Sequence, residues 1–322
     1  MAARRVIGID AGGTKLLGGV VDGDLAVHAR VHRLWGPSRA IERTALVEQM
    51  IGAVQEALAL APDAEAVGLG VPSLVDRART ASMWSNHLPL DGMPLRDLMS
   101  ERIGLPVYLE NDANAALLAE HAHGAARGAL QALMLTLGTG IGGAALVGGR
   151  LHRGASGSAG ELGHVVVDID GPPCPGKCPN RGCLEVMASG SAIGREGEAA
   201  ARSAPESALG RALAEGRAVS GALVTELAHD GCSVARRVLT LTGARLGVGL
   251  SSLANAFDPE VIVVGGGAIG ADEMLLEPAR AELRARALPP VAATARVVRA
   301  HFGEEAGMLG AALVALGGGE TA

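Results

Sequence analysis

Residues 5–22, RVIGIDAGGTKLLGGVVD, decide the fold that the rest of the chain completes. Two apolar runs, Val6–Asp10 and Leu16–Val21, predict the two strands of a β-hairpin. A glycine-rich turn joins the runs, and Asp22-Gly23 marks the turn that follows the second run. Farther along, apolar runs of strand length alternate with helical segments, so the sequence predicts an α/β fold.

The turn Asp10–Lys15 carries groups that suit a phosphate site. Gly12 and Gly13 let backbone N–H groups approach phosphate oxygens, because no Cβ intervenes. Thr14 adds a hydroxyl, Lys15 adds a positive charge, and Asp10 could hold Mg²⁺ through water. A tight hairpin turn without a ligand is the alternative. The turn is not a P-loop, which needs Gly, four residues and Gly-Lys-Ser/Thr before a helix.

The opening pattern returns in the middle of the chain. Ala132–Leu137 predicts a strand, Gly138–Gly143 a glycine turn that contains Thr139, and Ala144–Val147 a second strand. This repeated order of strand, glycine turn and strand indicates an internal duplication. Two homologous halves that face each other would leave an interdomain cleft with a glycine loop from each half.

The pattern Gly-x-Gly-x-x-Gly occurs twice, beginning at Gly138 and at Gly265. The first copy leads into a strand, which counts against a dinucleotide-binding fold. The second copy follows the predicted strand Val261–Val264 and precedes a helix, as a dinucleotide site requires. The next strand, however, ends in His301 rather than in an acid that would bind a ribose. We therefore interpret both loops as parts of a cleft that binds a nucleotide.

Length, charge and apolar runs limit the classes of protein to consider. The 322 residues fit two domains, and a net charge of −6 without blocks of like charge argues against nucleic-acid and membrane surfaces. The opening residues lack the apolar segment of a signal peptide, and no uninterrupted apolar run of about 20 residues predicts a transmembrane helix. We expect a cytoplasmic protein that binds neither nucleic acid nor membrane.

Three cysteines and a histidine form the sharpest local signal. One imidazole and three thiolates, from His164, Cys174, Cys178 and Cys183, can close a tetrahedral Zn²⁺ shell. The surrounding segment, residues 171–182, is rich in proline and glycine, so a metal would order it. Four protein ligands leave no open position, which predicts a structural zinc ion. A loop with chance thiols is the alternative.

Asp112 follows the predicted strand Val107–Glu110 and precedes an alanine-rich helix. Asp112 or Asn114 could simply cap that helix. Ligands of α/β proteins, however, bind at the carboxyl ends of strands, and phosphoryl transfer to a hydroxyl needs a carboxylate that accepts its proton. Other polar residues suit a sugar pocket, although a surface role is the alternative for each alone: Asn86, Glu161, His164 and Glu185.

In combination these segments resemble the ROK sugar kinases, within the larger group of actin-like and hexokinase-like ATPases. The resemblance spans nearly the whole chain. It implies two ribonuclease H-like domains that close on sugar and ATP. The expected small domain is 1–112, rejoined by the C-terminal helix 304–322, and the expected large domain is 113–303 with a zinc-binding loop at 164–185. The segments that carry the resemblance are Asp10–Lys15, Asn86, Glu110–Asp112, Leu137–Gly143, Glu161–His164, Cys174–Glu185 and Gly265–Gly267.

The resemblance also implies a role for individual residues. Asp112 would take the proton from the sugar 6-hydroxyl, and His164 would use one ring nitrogen on zinc and the other toward the sugar. The implied sugar contacts are Asn86, Asn111, Asp112, Glu161, His164 and Glu185, with Ser73. The implied contacts to ATP are Asp10, Gly12, Gly13, Thr14, Lys15, Gly138, Thr139, Gly140, Gly142, Gly265, Gly266 and Gly267.

Two positions depart from the family pattern. The usual spacing Cys-x-Cys-x₄-Cys is here Cys174-x₃-Cys178-x₄-Cys183, which lengthens the first part of the loop. The usual Pro-Gly after the third strand is here Pro72-Ser73, so we expect any backbone contact from Ser73 to the sugar to be shifted.

The implied activity is transfer of the ATP γ-phosphoryl group to the 6-hydroxyl of a hexose, with glucose as the expected substrate. A fructose, mannose or N-acetylmannosamine kinase, or polyphosphate as donor, is the alternative within this class. A sugar-responsive repressor is the alternative of another class; it needs an N-terminal helix-turn-helix, for which a phosphate loop starting at Asp10 leaves no room. The family also suggests a dimer or tetramer.

Overall fold

The computed structural model describes residues 4–35, 41–86 and 88–319. The strands are β1 (Arg5–Ala11), β2 (Lys15–Asp22), β3 (Val27–Leu34), β4 (Val67–Val71), β5 (Leu74–Val75), β6 (Ser82–Trp84), β7 (Val107–Asn111), β8 (Ala132–Leu137), β9 (Ile141–Val147), β10 (Arg150–Leu151), β11 (Val261–Gly265) and β12 (Arg296–Arg299). The helices are α1 (Arg43–Leu60), α2 (Leu95–Ile103), α3 (Asp112–His123), α4 (Leu184–Ala188), α5 (Gly190–Ser203), α6 (Ala208–Ala214), α7 (Gly221–His229), α8 (Ser233–Phe257), α9 (Glu273–Arg286), α10 (Pro289–Thr294) and α11 (Ala306–Leu316).

Two five-stranded sheets repeat one strand order. The first runs β3-β2-β1-β4-β7 and the second β10-β9-β8-β11-β12. In the first sheet β1, β2 and β3 pair antiparallel, whereas β4 and β7 continue parallel to β1. In the second sheet β11 is parallel to both β8 and β12. The repeated order confirms the predicted α/β fold and its internal duplication.

The chain divides into two compact units. One contains the described residues of Met1–Leu130, Ala144–Gly160 and Ala300–Ala322, and the other contains Gln131–Gly143 and Glu161–Arg299. The return of the chain at Ala300 places α11 in the first unit. The domain limits 1–112 with 304–322 and 113–303 stay predictions, and residues 320–322 lie outside the described ones. Over the described ranges, no helix is long and apolar enough to cross a membrane.

Both faces of β1 are buried, which is why its sequence is apolar throughout rather than alternating. Ile7 and Ile9 belong to a core cluster with Leu46 of α1. Val6, which points to the other face, belongs to a second cluster with Met308 of α11. The strand that leads to Asp10 is therefore fixed from both sides.

Helix α11 packs directly on the backbone of its neighbours, because glycines remove the side chains between them. A Cβ at Gly68 of β4 would lie 1.7 Å from the carbonyl oxygen of Ala311. A Cβ at Gly310 would lie equally close, 1.7 Å, to the carbonyl oxygen of Ala115 in α3. This close packing brings the first turn of α11 to Asp10, whose Oδ2 lies 2.4 Å from the Cβ position of Gly307.

We expect Gly310→Val to destabilise the ligand-free protein by about 3 kcal/mol or more, because α11 and α3 must separate to admit the side chain. Urea unfolding measures the effect. Gly52→Ala in α1 is the matched control, since no atom lies within 4 Å of a Cβ at that helical position. We expect the control to be neutral or to stabilise by up to about 1 kcal/mol. Equal stability of the two variants would contradict the packing of α11.

Candidate functional site

The first sheet brings several of the predicted residues to one edge. The parallel registers pair Asp10 with Gly70 and Val71 with Asn111, so the carboxyl ends of β1, β4 and β7 lie side by side. The Cα of Asp112 lies 3.7 Å from the Cβ position of Gly70. Asp10, Asn111 and Asp112 therefore share one edge of the sheet, where ligands of α/β proteins bind.

The cap of α3 is Asn111, so the expectation that Asp112 or Asn114 could fill this role is wrong. The Asn111 Oδ1 accepts a hydrogen bond from the Asn114 backbone N at 3.0 Å, and its Nδ2 donates to the Ser73 carbonyl oxygen at 3.3 Å. Asp112 is thereby the first helical residue, and its Oδ1 accepts from the Ala113 N at 2.8 Å. The positive end of the helix dipole favours an ionised carboxylate there.

Asp10 has an unusual protonation equilibrium. Burial raises the pKa of Asp10 to about 8, the negative charge of Asp112 adds to the rise, and Lys15 opposes it. Two carboxylates at one sheet edge repel each other, and a divalent cation near them would relieve the repulsion. The pair therefore fits the predicted Mg²⁺ position.

We expect Asp10→Asn to raise thermal stability at alkaline pH while lowering any metal-dependent activity. An unfolded Asp ionises near pH 4, whereas folded Asp10 keeps its proton until about pH 8, so wild-type stability falls as pH rises across this window. The stability of the asparagine variant lacks this decrease, because asparagine does not ionise. At pH 9, without ligands, its unfolding midpoint should exceed the wild-type value by about 2–4 °C or more. An unfolding midpoint of Asp10→Asn below that of the wild type at pH 9 would contradict the raised pKa of Asp10.

Glu110 locks the residues beside Asp112 in place. It is 2% exposed, and its Oε2 accepts hydrogen bonds from Arg153 Nε at 3.0 Å and Nη2 at 2.7 Å. Its Oε1 accepts from the Asn111 N at 3.1 Å and from Asn114 Nδ2 at 3.0 Å. Arg153 was not predicted, because 43 residues separate it from Glu110 and no local pattern in the sequence links the two.

The segment around Ser73 and Asn86 is tied to the end of β4. The Ser73 hydroxyl donates to the Trp84 carbonyl oxygen at 2.9 Å, and the Ser73 backbone N donates to the Val71 carbonyl oxygen at 2.8 Å. The Ser85 hydroxyl donates to the Pro72 carbonyl oxygen at 2.8 Å. These bonds place the loop with Asn86 next to the sheet edge that carries Asn111. The backbone and hydroxyl groups of Ser73 serve structural bonds.

Trp35 and Glu304 hold the glycine turn that follows β1. The Trp35 Nε1 donates to the Gly13 carbonyl oxygen, and the Trp35 backbone N to that of Thr14, both at 3.2 Å. Lys15 Nζ lies 2.6 Å from Glu304 Oε2 in an exposed ion pair. Thr14 is exposed, and Gly12 lies directly after the strand. An incoming phosphate would therefore compete with Glu304 for the lysine.

In the second unit, the two remaining glycine loops leave neighbouring parallel strands. Gly265 pairs with Thr136, so the turns after β11 and β8 meet at the same sheet edge. Gly266 has φ of +85°, and a Cβ there would lie 2.5 Å from the Leu137 carbonyl oxygen, so this turn requires glycine. The turn after β8 begins at Gly138, whose carbonyl oxygen accepts from the Gly190 N at 2.9 Å. Of the predicted residues, Gly138, Thr139, Gly140 and Gly266 lie in these turns, and Gly267 begins the short 3₁₀ helix that follows. Gly265 ends β11, and Gly142 lies in β9, because the second strand begins at Ile141 and the turn after β8 is shorter than the predicted range 138–143.

The acidic residues around the cysteine loop also lie together in the second unit. Glu185 is buried, and its Oε2 accepts from the Ile141 backbone N at 2.8 Å. A Cβ at Gly163 would lie 2.1 Å from the Ile141 carbonyl oxygen, which places the segment Glu161–His164 against the same strand. His164 Nε2 lies 3.8 Å from Glu161 Oε2. The structure thus brings together Glu161, His164 and Glu185.

The four predicted metal ligands converge, and their ligand atoms all lie within 4.8 Å of one another. Cys174 Sγ lies 3.5 Å from His164 Nδ1, and the Sγ atoms of Cys178 and Cys183 lie 4.0 Å apart. Bond lengths in tetrahedral zinc sites imply separations of roughly 3.5–3.8 Å between ligand atoms. Burial raises the pKa of Cys183 to about 11, so ionised thiols here require a cation. The cluster is able to hold a metal ion.

The longer first part of the cysteine loop still brings Cys174 to the cluster. Pro173 and Arg181 form an isolated antiparallel bridge. Beside it, the Cys174 N donates to the Asn180 carbonyl oxygen at 2.9 Å. This short pairing folds the loop back on itself, which explains how Cys174 tolerates the altered spacing. The Nδ1 atom of His164 lies toward the thiol of Cys174, and its Nε2 atom lies toward Glu161, so the two ring nitrogens face different groups.

The sequence model of the ROK family matches residues 6–317 of this chain. A glucokinase from Streptomyces coelicolor is 35% identical over 95% of this chain and 96% of its own, and one from Thermotoga maritima is 33% identical over 98% of each. A solved ROK glucokinase from Streptomyces griseus, in complex with glucose and AMPPNP, superposes with a TM-score of 0.88 at 35% identity, covering 97% of this chain and 99% of its own. Because the match runs through both duplicated sheets, this chain belongs to the ROK family, with its actin-like ATPase fold.

Proposed function

We propose that the protein is a glucokinase, which transfers the γ-phosphoryl group of ATP to the 6-hydroxyl of glucose. The observation that carries the proposal is the position of Asp112, at the start of α3 and beside Asp10 on the ligand-binding edge of the first sheet. Relatives named glucokinase align with the chain over nearly its full length, which supports this choice of substrate and donor.

Asp112 acts as the general base in this mechanism. The sugar O6 attacks the γ-phosphorus in line, the new O6–P bond forms, and the bond to the β,γ-bridging oxygen breaks. The carboxylate accepts the proton of the 6-hydroxyl, and ADP carries away the bond electrons. Asp112 is the first residue of α3, where the positive end of the helix dipole favours a negative charge such as that of a carboxylate base.

The sugar is held by short polar groups with fixed positions. Asn111 keeps one N–H of its amide beyond the bond to Ser73, and Asn86 lies on the loop tied to the same sheet edge. The other proposed contacts are Glu161, His164 and Glu185, together with the Ser73 carbonyl oxygen, which has a second lone pair beyond the bond from Asn111. Buried Glu185 is pre-oriented by the Ile141 N, which lowers the entropy lost on binding.

The nucleotide phosphates bind at the glycine turns, where backbone N–H groups and Lys15 supply positive potential. Asp10 would hold Mg²⁺ through water, and the ion would supply positive charge next to the transferred group. The proposed contacts to ATP are Asp10, Gly12, Gly13, Thr14, Lys15, Gly138, Thr139, Gly140, Gly142, Gly265, Gly266 and Gly267.

The cluster of His164, Cys174, Cys178 and Cys183 holds a structural Zn²⁺ ion. Nitrogen and thiolate donors in a closed set of four favour zinc over Mg²⁺ or Ca²⁺, which prefer oxygen. As a zinc ligand, the His164 ring would be fixed in orientation, and its other nitrogen would be available to the sugar. The protein is also proposed to be cytoplasmic and to form a dimer or tetramer. Light scattering measures its oligomeric state.

A panel of phosphate acceptors and donors tests the activity. Glucose, fructose, mannose and N-acetylmannosamine are each assayed with ATP and with polyphosphate, and phosphorylated sugar is measured. We expect the highest kcat/KM for glucose with ATP. A higher value for another hexose would replace glucose as the substrate. Saturable sugar binding without phosphorylation of any sugar would favour the repressor alternative.

A further inference from the structure

A pocket separate from the proposed catalytic residues lies on the first unit, along the edge strand β7. Its volume is about 410 Å³, within the range of roughly 300–1,000 Å³ typical of small-molecule sites. None of the residues assigned above to sugar, nucleotide or metal lines it. The polar residues that line it are Arg79, Arg96, Asp97, Ser100 and Tyr108, and the backbone of Gly318 and Gly319 closes one side.

Arg79 brings a surplus positive charge to this pocket. Its Nη1 is buried, has no hydrogen-bond partner among the described residues, and lies 3.9 Å from Glu110 Oε2. That same oxygen already accepts two hydrogen bonds from Arg153, so one carboxylate faces two guanidinium groups. Burial and the charge of Arg153 lower the pKa of Arg79, as expected of a cation whose charge is not fully compensated.

The position of Arg79 is built by the backbone rather than left to a flexible surface side chain. Arg79 has φ of +53°, a left-handed conformation that costs a residue with a Cβ about 1 kcal/mol or more. Asp76 fixes the turn, since its Oδ1 accepts from the backbone N of Thr80 and of Ala81, both at 2.7 Å. Arg79 Nη2 also donates to the carbonyl oxygen of Gly319, a neutral group that adds no negative charge beside the guanidinium.

The opposite wall comes from α2 and adds a second cation. Arg96 donates from Nε to Asp97 Oδ1 at 2.8 Å, and both side chains are exposed. The lining therefore holds two guanidinium groups and one carboxylate, a net positive charge. The Ser100 hydroxyl, which donates to the Leu105 carbonyl oxygen at 2.8 Å, keeps a lone pair for a ligand hydroxyl. Tyr108 adds a second hydroxyl to the lining.

We propose that this pocket binds a small phosphomonoester of a polyol or sugar, with the phosphate on Arg79 and the hydroxyls toward Ser100 and Tyr108. A phosphate dianion in the pocket would compensate the guanidinium charge of Arg79, because Arg79 shares the Glu110 carboxylate with Arg153. Charge-assisted hydrogen bonds to arginine are among the strongest in proteins. The volume exceeds what a phosphate ion alone fills, which favours an ester. The inference does not depend on the proposed kinase activity.

Isothermal titration of the full chain with glucose 6-phosphate tests the pocket, with saturating glucose and AMPPNP present to fill the proposed active site. We expect one site per chain. Arg79→Gln should weaken binding about tenfold or more, and Arg96→Gln about threefold, since the latter charge is shared with Asp97. Arg96 is exposed, so its variant keeps the test valid even if Arg79→Gln folds poorly. The matched control is Arg102→Gln, outside the pocket on the same helix, which should bind as wild type does.

Inorganic phosphate serves as the second probe and should bind at least tenfold more weakly than the ester. Equal affinity of the two probes would overturn the ester assignment. Absence of binding in the wild type, or equal affinity in wild type, Arg79→Gln and Arg96→Gln, would overturn the site itself. Should the protein bind neither glucose nor AMPPNP, the same titration without them still measures the pocket, and the proposed kinase function fails separately.

Discussion

Asp112→Asn is expected to lower kcat about 10²–10⁴-fold, the range that general-base catalysis contributes. Asparagine has nearly the same shape, and its Oδ1 is able to accept the hydrogen bond that Asp112 accepts from the Ala113 N. Folding should therefore survive. Removal of the charge also relieves Asp10, whose pKa the Asp112 carboxylate raises, so the ligand-free variant should be at least as stable as the wild type. Steady-state assays with glucose and ATP, together with thermal unfolding, measure both quantities.

Two further variants, Asp63→Asn and Asp10→Asn, distinguish the loss of a catalytic base from other effects of removing a carboxylate. Asp63→Asn replaces an exposed carboxylate of the same unit that pairs with Arg5 at 3.4 Å, and we expect its kcat to stay within about twofold of wild type. Asp10→Asn should lose activity that high Mg²⁺ partly restores, whereas no Mg²⁺ concentration should restore Asp112→Asn. A folded Asp112→Asn protein with near-normal turnover would refute the base assignment.

Cys178→Ser is expected to abolish stoichiometric zinc binding and to lower activity about 10–100-fold, the loss typical when the support of a metal-held histidine is removed. The purified wild type should contain about one Zn²⁺ per chain. Without the ion, the proline- and glycine-rich loop has little core of its own, and His164 and Glu185 lose the cluster beside them. Elemental analysis measures the zinc content, thermal unfolding measures the stability, and sugar kinetics measure the activity of the variant.

Cys232→Ser is the control for the cysteine substitution. Cys232 lies at the start of α8, outside the cluster, so its variant should retain zinc, stability and activity. A zinc-free Cys178→Ser protein that is as active and as stable as the wild type would show that the metal has no structural role. Zinc loss in the Cys232 variant would instead point to a different ligand set.

The order of the main elements could be predicted from apolar runs and turn residues. The predicted strand Ala132–Leu137 has the observed bounds, because a buried strand is a continuous apolar run that the sequence shows directly. Strand β3 was not predicted. Only one of its residues, Val31, is buried, so this edge strand carries little of the apolar signal by which strands are recognised.

Long-range contacts of the site could not be predicted. Trp35 closes the glycine turn and Arg153 neutralises Glu110, but nothing near either residue in the sequence indicates its partner. The cap of α3 was misassigned for a related reason. Asn111, Asp112 and Asn114 all suit capping, and the bond from Asn111 to the Ser73 carbonyl oxygen, distant in sequence, helps to fix which one caps. The metal cluster was predictable because its chemistry is local: three of its four ligands lie within ten consecutive residues.

The most direct test of the central claim is a crystal structure of this protein with glucose and AMPPNP. We expect one Asp112 carboxylate oxygen within about 2.6–3.2 Å of the sugar O6, and O6 in line with the γ-phosphorus. An Asp112 carboxylate beyond hydrogen-bonding reach of every sugar hydroxyl, with another acid beside O6, would contradict the proposed mechanism.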